Sequence, residues 1–293
     1  MNRKASILAL IAAMTGGIAA ADEPSKDTYW LLDPVPREKM RDLSPDRPDT
    51  TESPITVDAG HLQVEVSFFQ YGYDDQGPQR VNAWTIMDTN VKLGITNNMD
   101  LQFVFGAYGR EETHIAGGPD ERLEGFGDMT IRWKTNLWGN DAPGTPGTPR
   151  TDGFLEKTAF GVMPFVTIPT GTELSVDEPE GGLITVLSYD VTEHIGLAFM
   201  AEFDAVHDGA DDRYHTDFIH TATCGFDIVG PLGAFVEYIG ITRCDERFEY
   251  QALFSSGLTY SINADVLLDV GARIGLTDAA EDIAVFTGIT WRY

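Results

Sequence analysis

I-A-V-F-T-G-I-T-W-R-Y, residues 283–293, is the stretch whose reading decides the fold. Its odd positions are Ile283, Val285, Thr287, Ile289, Trp291 and Tyr293. Its even positions are Ala284, Phe286, Gly288, Thr290 and Arg292. A period of two is that of a strand, here with one apolar face and one smaller, more polar face. A soluble sheet has little reason to finish on an apolar ladder capped by Trp and Tyr. A membrane barrel has two: aromatics suit the bilayer interface, and the last strand must close the sheet.

Working back from the tail, the chain breaks from His61 onward into alternating segments of about ten residues, the length a tilted strand needs to cross a bilayer. The clearest are 62–69, 85–95, 99–107 and 128–137. In the first of these Leu62, Val64, Val66 and Phe68 oppose Gln63, Glu65 and Ser67. Eight more follow at 158–168, 183–192, 195–206, 216–229, 232–242, 251–261, 265–276 and 283–293. Those at 195 and 265 alternate cleanly. Those at 158, 183 and 232 carry apolar residues at both parities, and their facing stays open. The expected fold is all-β: a transmembrane, antiparallel, up-and-down barrel of about twelve strands (ten to fourteen), preceded by an irregular segment.

The connections fit that expectation. Asn97-Asn98, Glu193-His194, Gly230-Pro231 and Asn263-Ala264 are tight turns on one side. On the other side, longer acidic loops are expected at 73–82, 109–126, 169–182, 207–215, 244–250 and 278–282. The connection 138–156 is long and on the short-turn side, against the pattern, and reads either as a flexible Gly/Pro/Thr-rich loop or as a sign of a miscounted strand. Trp138, Phe226, Tyr260, Trp291 and Tyr293 fall near one end of the strands and Trp84 and Phe203 near the other, as two aromatic girdles would.

At the other terminus, M-N-R-K precedes an apolar run at 7–14 and the small residues Ala19-Ala20-Ala21. That is the plan of a secretory signal peptide, residues 1–21, with Asp22 as the expected mature N-terminus. The run is too short to span a bilayer, and no other segment has 18 consecutive apolar residues. Residues 22–60 follow, with Pro34, Pro36, Pro45, Pro48 and Pro54 breaking any regular structure. Two readings stay open for this segment: a solvated periplasmic tail, or a partial plug folded back into the lumen, with Tyr29, Trp30, Leu31 and Leu32 as its apolar anchor. The barrel proper is expected over 61–293.

Charge excludes one class. With 20 Lys and Arg against 46 Asp and Glu, the formal charge is −26, so a nucleic-acid partner is not expected. By parity, the charges of the strands belong on the lumen side, because hydrocarbon does not accept them cheaply. The candidate lumen-lining residues are Glu65, Asp88, Lys92, Asp100, Asp128, Arg132, Lys134, Glu202, Asp204, Asp217, Asp227, Asp265, Asp269, Arg273 and Arg292. They make either a crosslinked, stabilising interior or a polar pathway whose acidic bias favours cationic or polar-neutral solutes.

Enzyme signatures are missing: no G-x-S-x-G, no H-E-x-x-H, no phosphate loop, and hence no catalytic residue and no cofactor is expected. An outer-membrane lipid hydrolase would need a Ser–His pair at the lipid-facing rim. His220 is the one His that parity turns outward, and no Ser stands convincingly beside it. Cys224 and Cys244 fall at different heights and are expected unbonded. They lack the spacing of a metal site. The acidic pairs Asp74-Asp75, Asp211-Asp212 and Asp245-Glu246 have the chemistry to hold divalent cations at loops but read first as solvated loop tips, and no metal is expected.

Two resemblances add to this. The tail resembles the C-terminal insertion signal of Gram-negative outer-membrane barrels, with Ile289, Trp291 and Tyr293 in the pattern, although many of those chains end in Phe. L-S-P-D-R-P-D (43–49), T-E-S-P (51–54) and V-D-A-G-H (57–61), then R-W-K-T-N-L-W-G-N-D (132–141), P-T-G (169–171) and E-G-G (180–182), resemble an outer-membrane transporter-like family. That family is labelled after the MetA-pathway of phenol degradation. Asp46, Arg47, Pro48, Asp49 and Glu52 fall within its first motif. The resemblance implies an outer-membrane protein of a Gram-negative bacterium. Lipid, lipopolysaccharide and the barrel-assembly machinery would be its partners, and a small-molecule solute, aromatic or hydrophobic by the label, would be its cargo.

Overall fold

The computed structural model describes residues 25–141, 153–176, 178–209 and 212–293. The expected signal peptide, Asp211 and the middle of the 138–156 connection lie outside the described residues. Among the described residues thirteen strands form: β1 (Leu62–Asp75), β2 (Gln79–Thr96), β3 (Met99–Ile115), β4 (Glu121–Gly125), β5 (Met129–Trp138), β6 (Thr158–Ile168), β7 (Glu180–Thr192), β8 (Ile195–Asp208), β9 (Arg213–Val229), β10 (Leu232–Arg243), β11 (Glu249–Asn263), β12 (Val266–Gly275) and β13 (Ile283–Arg292). Twelve of them close a ring. Each pairs antiparallel with the next, β3 reaches past β4 to pair with β5, and β13 returns to β1. Closure removes both sheet edges, so no row of backbone N–H and C=O groups faces hydrocarbon.

The tail strand behaves as its period dictates. Ala284, Phe286, Gly288 and Thr290 are buried on the inner face, while Ile283, Val285 and Trp291 are exposed on the outer one. Val66 lies opposite Ile289 and Gln63 opposite Arg292. Beyond the strand, Tyr293 still exchanges both backbone hydrogen bonds with Leu62, at 2.8 and 3.3 Å. The final residue therefore belongs to the seam.

Large apolar side chains turn outward around the ring, among them Met129, Leu183, Phe199, Val236, Phe254, Leu258, Val270 and Ile274. A continuous exposed belt of this kind has hydrocarbon, not water, as its solvent. At the end of the barrel that carries the chain terminus, the exposed Trp138, Phe226, Tyr260, Trp291 and Tyr293 ring the belt. That end is called proximal below, and the opposite end distal.

The distal end differs from the sequence expectation. The supposed loops at 73–82 and 109–126 are largely strand: β1 and β2 are joined through residues 76–78, and β3 runs to Ile115 before β4 folds back on it from Thr113↔Glu121 to Gly109↔Gly125. These extensions read R-E-E-T-H-I and E-R-L-E-G. With polar residues at both parities they lose the period-two signal, because above the bilayer neither face has to be apolar. β2 has 18 residues, roughly twice what a bilayer crossing requires.

Candidate functional site: the barrel lumen

Residues 25–60 enter from the proximal end, cross the interior and return to begin β1. At the root, the Arg41 guanidinium donates to Asn97 O at 2.7 Å and pairs with Asp141 at 3.0 Å and Asp58 at 3.2 Å. Lys26 joins Asp58 at 2.8 Å. Trp30 makes an isolated bridge with Thr96, and Leu31 N donates to Ile95 O. The returning arm donates from Val57 N to Asp100 at 3.0 Å and from Thr56 N to Asn140 at 2.9 Å. The wall makes room for this backbone. A Cβ on Gly94 would stand 2.0 Å from Asp58 O, and one on Gly161 would stand 3.0 Å from Pro54.

Higher in the lumen the charges that parity turned inward meet this segment. Asp46 is clamped between Lys134, at 2.7 Å, and Lys92, which also pairs with Glu65. Glu65 in turn accepts from Asp46 N and Arg47 N, at 3.1 and 3.0 Å. Lys92 and Lys134 are 1% and 0% exposed, and the carboxylates of Asp46 and Glu65 balance their charge there. Burial pushes the Asp46 carboxyl up, but Lys134 and Lys92 more than offset it and hold it far below the usual carboxylate range. Arg47 forks onto Asp269 at 2.7 and 3.2 Å and reaches Ser67. Gly288 of the tail strand is what lets it lie there, since a Cβ would come within 2.5 Å of its guanidinium. Glu52 pairs with Arg132.

Glu237 completes the ring of contacts from the opposite wall. Its carboxylate accepts from Thr50 N at 2.9 Å, and from Thr51 N and Thr51 Oγ1 at 2.7 Å each. Sequence reasoning missed this residue. The inner face of β10 is Phe235, Glu237, Ile239 and Ile241 and the outer face is Val236 and Tyr238, so apolar residues at both parities hid the one buried carboxylate. The same holds for β6 and β7. There Met163 and Ile184 pack inside the barrel with Val186 and Met200, forming an apolar patch on the lumen wall.

The remaining candidates spread along the barrel. Asp88 accepts from Thr85 Oγ1 at 2.6 Å, and Arg273 lies over the Phe286 ring at 5.7 Å. Glu202 and Asp204 lie on β8, and Asp217 faces His215 at 3.2 Å. Four candidates, Asp128, Asp227, Asp265 and Arg292, stand at the rims rather than deep inside. Asp128 binds Thr170 N and Val176 N at the distal mouth. At the proximal mouth Asp227 meets His194 and Asp265 meets Arg37 and Arg292. His220 packs against Phe218, Tyr238 and Tyr250. Cys224 and Cys244 are free thiols. Among the described residues no group of three or more His, Cys, Asp or Glu is arranged for a metal ion.

Two cavities flank the inserted segment. One, of 520 Å³, opens against β6 to β11 and is lined by Ile55, Thr158, Ser188, Thr223 and Phe235 among others. The other, of 290 Å³, lies against β1, β2, β12 and β13 and is lined by Gln70, Asp88, Asn90, Arg273 and Phe286. Pro48, Asp49 and Glu52 line both.

A closed twelve-strand ring with an apolar outer belt, an aromatic girdle and a charged lumen defines an outer-membrane-type β-barrel. The chain belongs to the family described as MetA-pathway of phenol degradation, whose sequence model matches residues 45–293. No functionally curated protein matches it by sequence. Among solved structures it is similar to the COG4313 outer membrane channel from Pseudomonas putida F1. The TM-score is 0.60 at 11% identity, covering 84% of this chain and 99% of that one, and this likeness shows the fold. The NanC porin (TM-score 0.46, 8% identity, 78% of this chain, 98% of that one) and the CymD monoaromatic hydrocarbon channel (0.44, 7%, 79% and 87%) are more distant.

Proposed function

We propose that the chain is an outer-membrane channel for passive or facilitated passage of small solutes, with residues 22–60 acting as a plug that narrows the passage. One observation carries the reading: inside a closed ring, open space lies on both sides of the inserted segment, 520 Å³ and 290 Å³, with only part of that segment between them. A barrel filled by its own side chains would have no such pair of chambers.

The wall supports a mixed solute preference. Glu202, Asp204, Asp217 and Glu237 give it an acidic bias, while Ile55 and Phe235 add apolar lining to the larger cavity. Together with the family's pathway label, that lining favours small aromatic or hydrophobic compounds over large hydrophilic ones. The location goes with the function. The exposed belt implies outer-membrane lipid and lipopolysaccharide as surroundings. The strand ending in Ile289, Trp291 and Tyr293 is the part the assembly machinery would engage.

A second reading, a non-conducting structural barrel with a permanent plug, draws on the fully buried pairs of Asp46 with Lys92 and Lys134. Planar bilayers separate the two. The channel reading expects conductance from the mature protein, larger when residues 22–60 are removed. Silence from the mature protein, with current only after that removal, supports the permanent plug, and silence from both counts against any passage.

A further inference from the structure

The inserted segment is not uniformly held. Ser53 N donates to Asp46 at 2.9 Å, and the Ser44 and Ser53 hydroxyls are 2.7 Å apart. Residues 46 and 53 thus form a neck, and this neck is the part fixed by Lys92, Lys134 and Glu65. From it residues 47–52 project as a short tip across the lumen. Arg47 and Glu52 hold the base of the tip to Asp269 and Arg132. Its far end touches the opposite wall at Glu237, through the three bonds given above, and at Thr221, whose Oγ1 is 2.6 Å from Thr51 Oγ1. The residues that line both cavities, Pro48, Asp49 and Glu52, belong to this tip.

We propose that the tip, residues 47–52, is the gate of the channel and that Glu237 with Thr221 is its latch, while the neck at Asp46–Ser53 stays seated. Opening on this account swings a few residues away from β9 and β10 and joins the two cavities. It does not require the segment to leave the barrel, which would take Asp46 from both Lys92 and Lys134 and leave Lys92 only Glu65. The latch suits reversible release. Two of its three bonds to Glu237 come from backbone N–H groups, and lifting the tip joins the cavities, so that water or a polar solute there can take up both these donors and the Glu237 carboxylate. Releasing the neck is different, because it separates Asp46 from two ammonium groups, whereas the latch parts a carboxylate from neutral donors only. The inference rests on the channel reading and locates its regulation.

The test uses the mature chain with Cys224 and Cys244 replaced by Ser, carrying Thr51→Cys and Thr221→Cys. Because the native hydroxyls are in contact, thiols placed there are within reach of a disulfide. Oxidation is expected to abolish bilayer conductance and a dithiol reductant to restore it. Two variants check the same claim without a crosslink. Glu237→Ala is expected to raise the open fraction several-fold. Replacing residues 48–51 by two glycines is expected to bring conductance close to that of the chain lacking residues 22–60, with the remaining segment still protected from protease. A crosslinked tip that conducts as before overturns the gate, as does a shortened tip that conducts like the parent chain. If the parent and the chain lacking residues 22–60 are both silent, the channel reading itself fails, which is a separate result.

Discussion

Removing the Asp46 carboxylate leaves two ammonium groups, Lys92 and Lys134, buried with too few counter-charges. Breaking one partner out of such a cluster costs about 3–5 kcal/mol. Asp46→Ala is therefore expected to lower the denaturant midpoint of the folded barrel, or to free residues 25–60 for protease, whereas an exposed change such as Asp227→Ala does neither. Two other carboxyls of the segment set a pH dependence. Burial, with Asp46 beside it, pushes Glu52 up to about 7, and burial, with Glu237 beside it, raises Asp49 well above the usual range. Glu52 faces Asp46, Arg132, Lys134 and Glu202; Asp49 faces Glu237 and the Thr223 hydroxyl. A carboxyl whose pKa is raised in the seated state takes up its proton more readily there than when released. Its contribution to seating is therefore fully present below the ordinary carboxylate pKa and is lost as pH rises through the raised value. Asp46 does not titrate in this window. Conductance is expected to be lower at about pH 5 than at about pH 8, and Glu52→Gln to flatten the difference. A conductance that rises on acidification contradicts this assignment.

At the scale of elements, β13 was legible almost residue by residue because lipid on one side and a packed interior on the other enforce strict alternation. The same asymmetry makes a prediction. Ile289→Arg puts a charge on the hydrocarbon face, which costs about 2–4 kcal/mol near the bilayer midplane and less toward the interface. Loss of heat-modifiable gel migration or a lowered unfolding midpoint in lipid would register it, and an unchanged barrel would argue against the belt. Legibility fails where the asymmetry does. β6, β7 and β10 carry Met163, Ile184 and Ile239 inward, so both faces look apolar and Glu237 is lost among them. Beyond the bilayer, β2, β3 and β4 are polar on both sides, so strand reads as loop. The plug contacts were not readable at all. Asp46 finds Lys134 across 88 positions of chain, and Arg47 finds Asp269 across 222. No local pattern encodes pairings made through space. What the sequence offered was the set of charges that had to face inward, together with a proline-rich segment long enough to reach them.

For the whole molecule, the ring and the inserted segment solve one problem jointly. A twelve-strand barrel encloses more space than its wall side chains fill, and residues 25–60 occupy the part where they give Lys134 and Asp269 their ion-pair partners and add Asp46 to the Lys92–Glu65 pair. What they leave empty is two chambers meeting at the tip of the segment. The central claim is that these chambers are halves of one passage, and single-channel recording in planar bilayers tests it most directly. The mature chain is predicted to conduct in small, interrupted steps, and the chain lacking residues 22–60 in larger, steadier ones. Two correctly folded proteins that pass no current, with and without the segment, would contradict it.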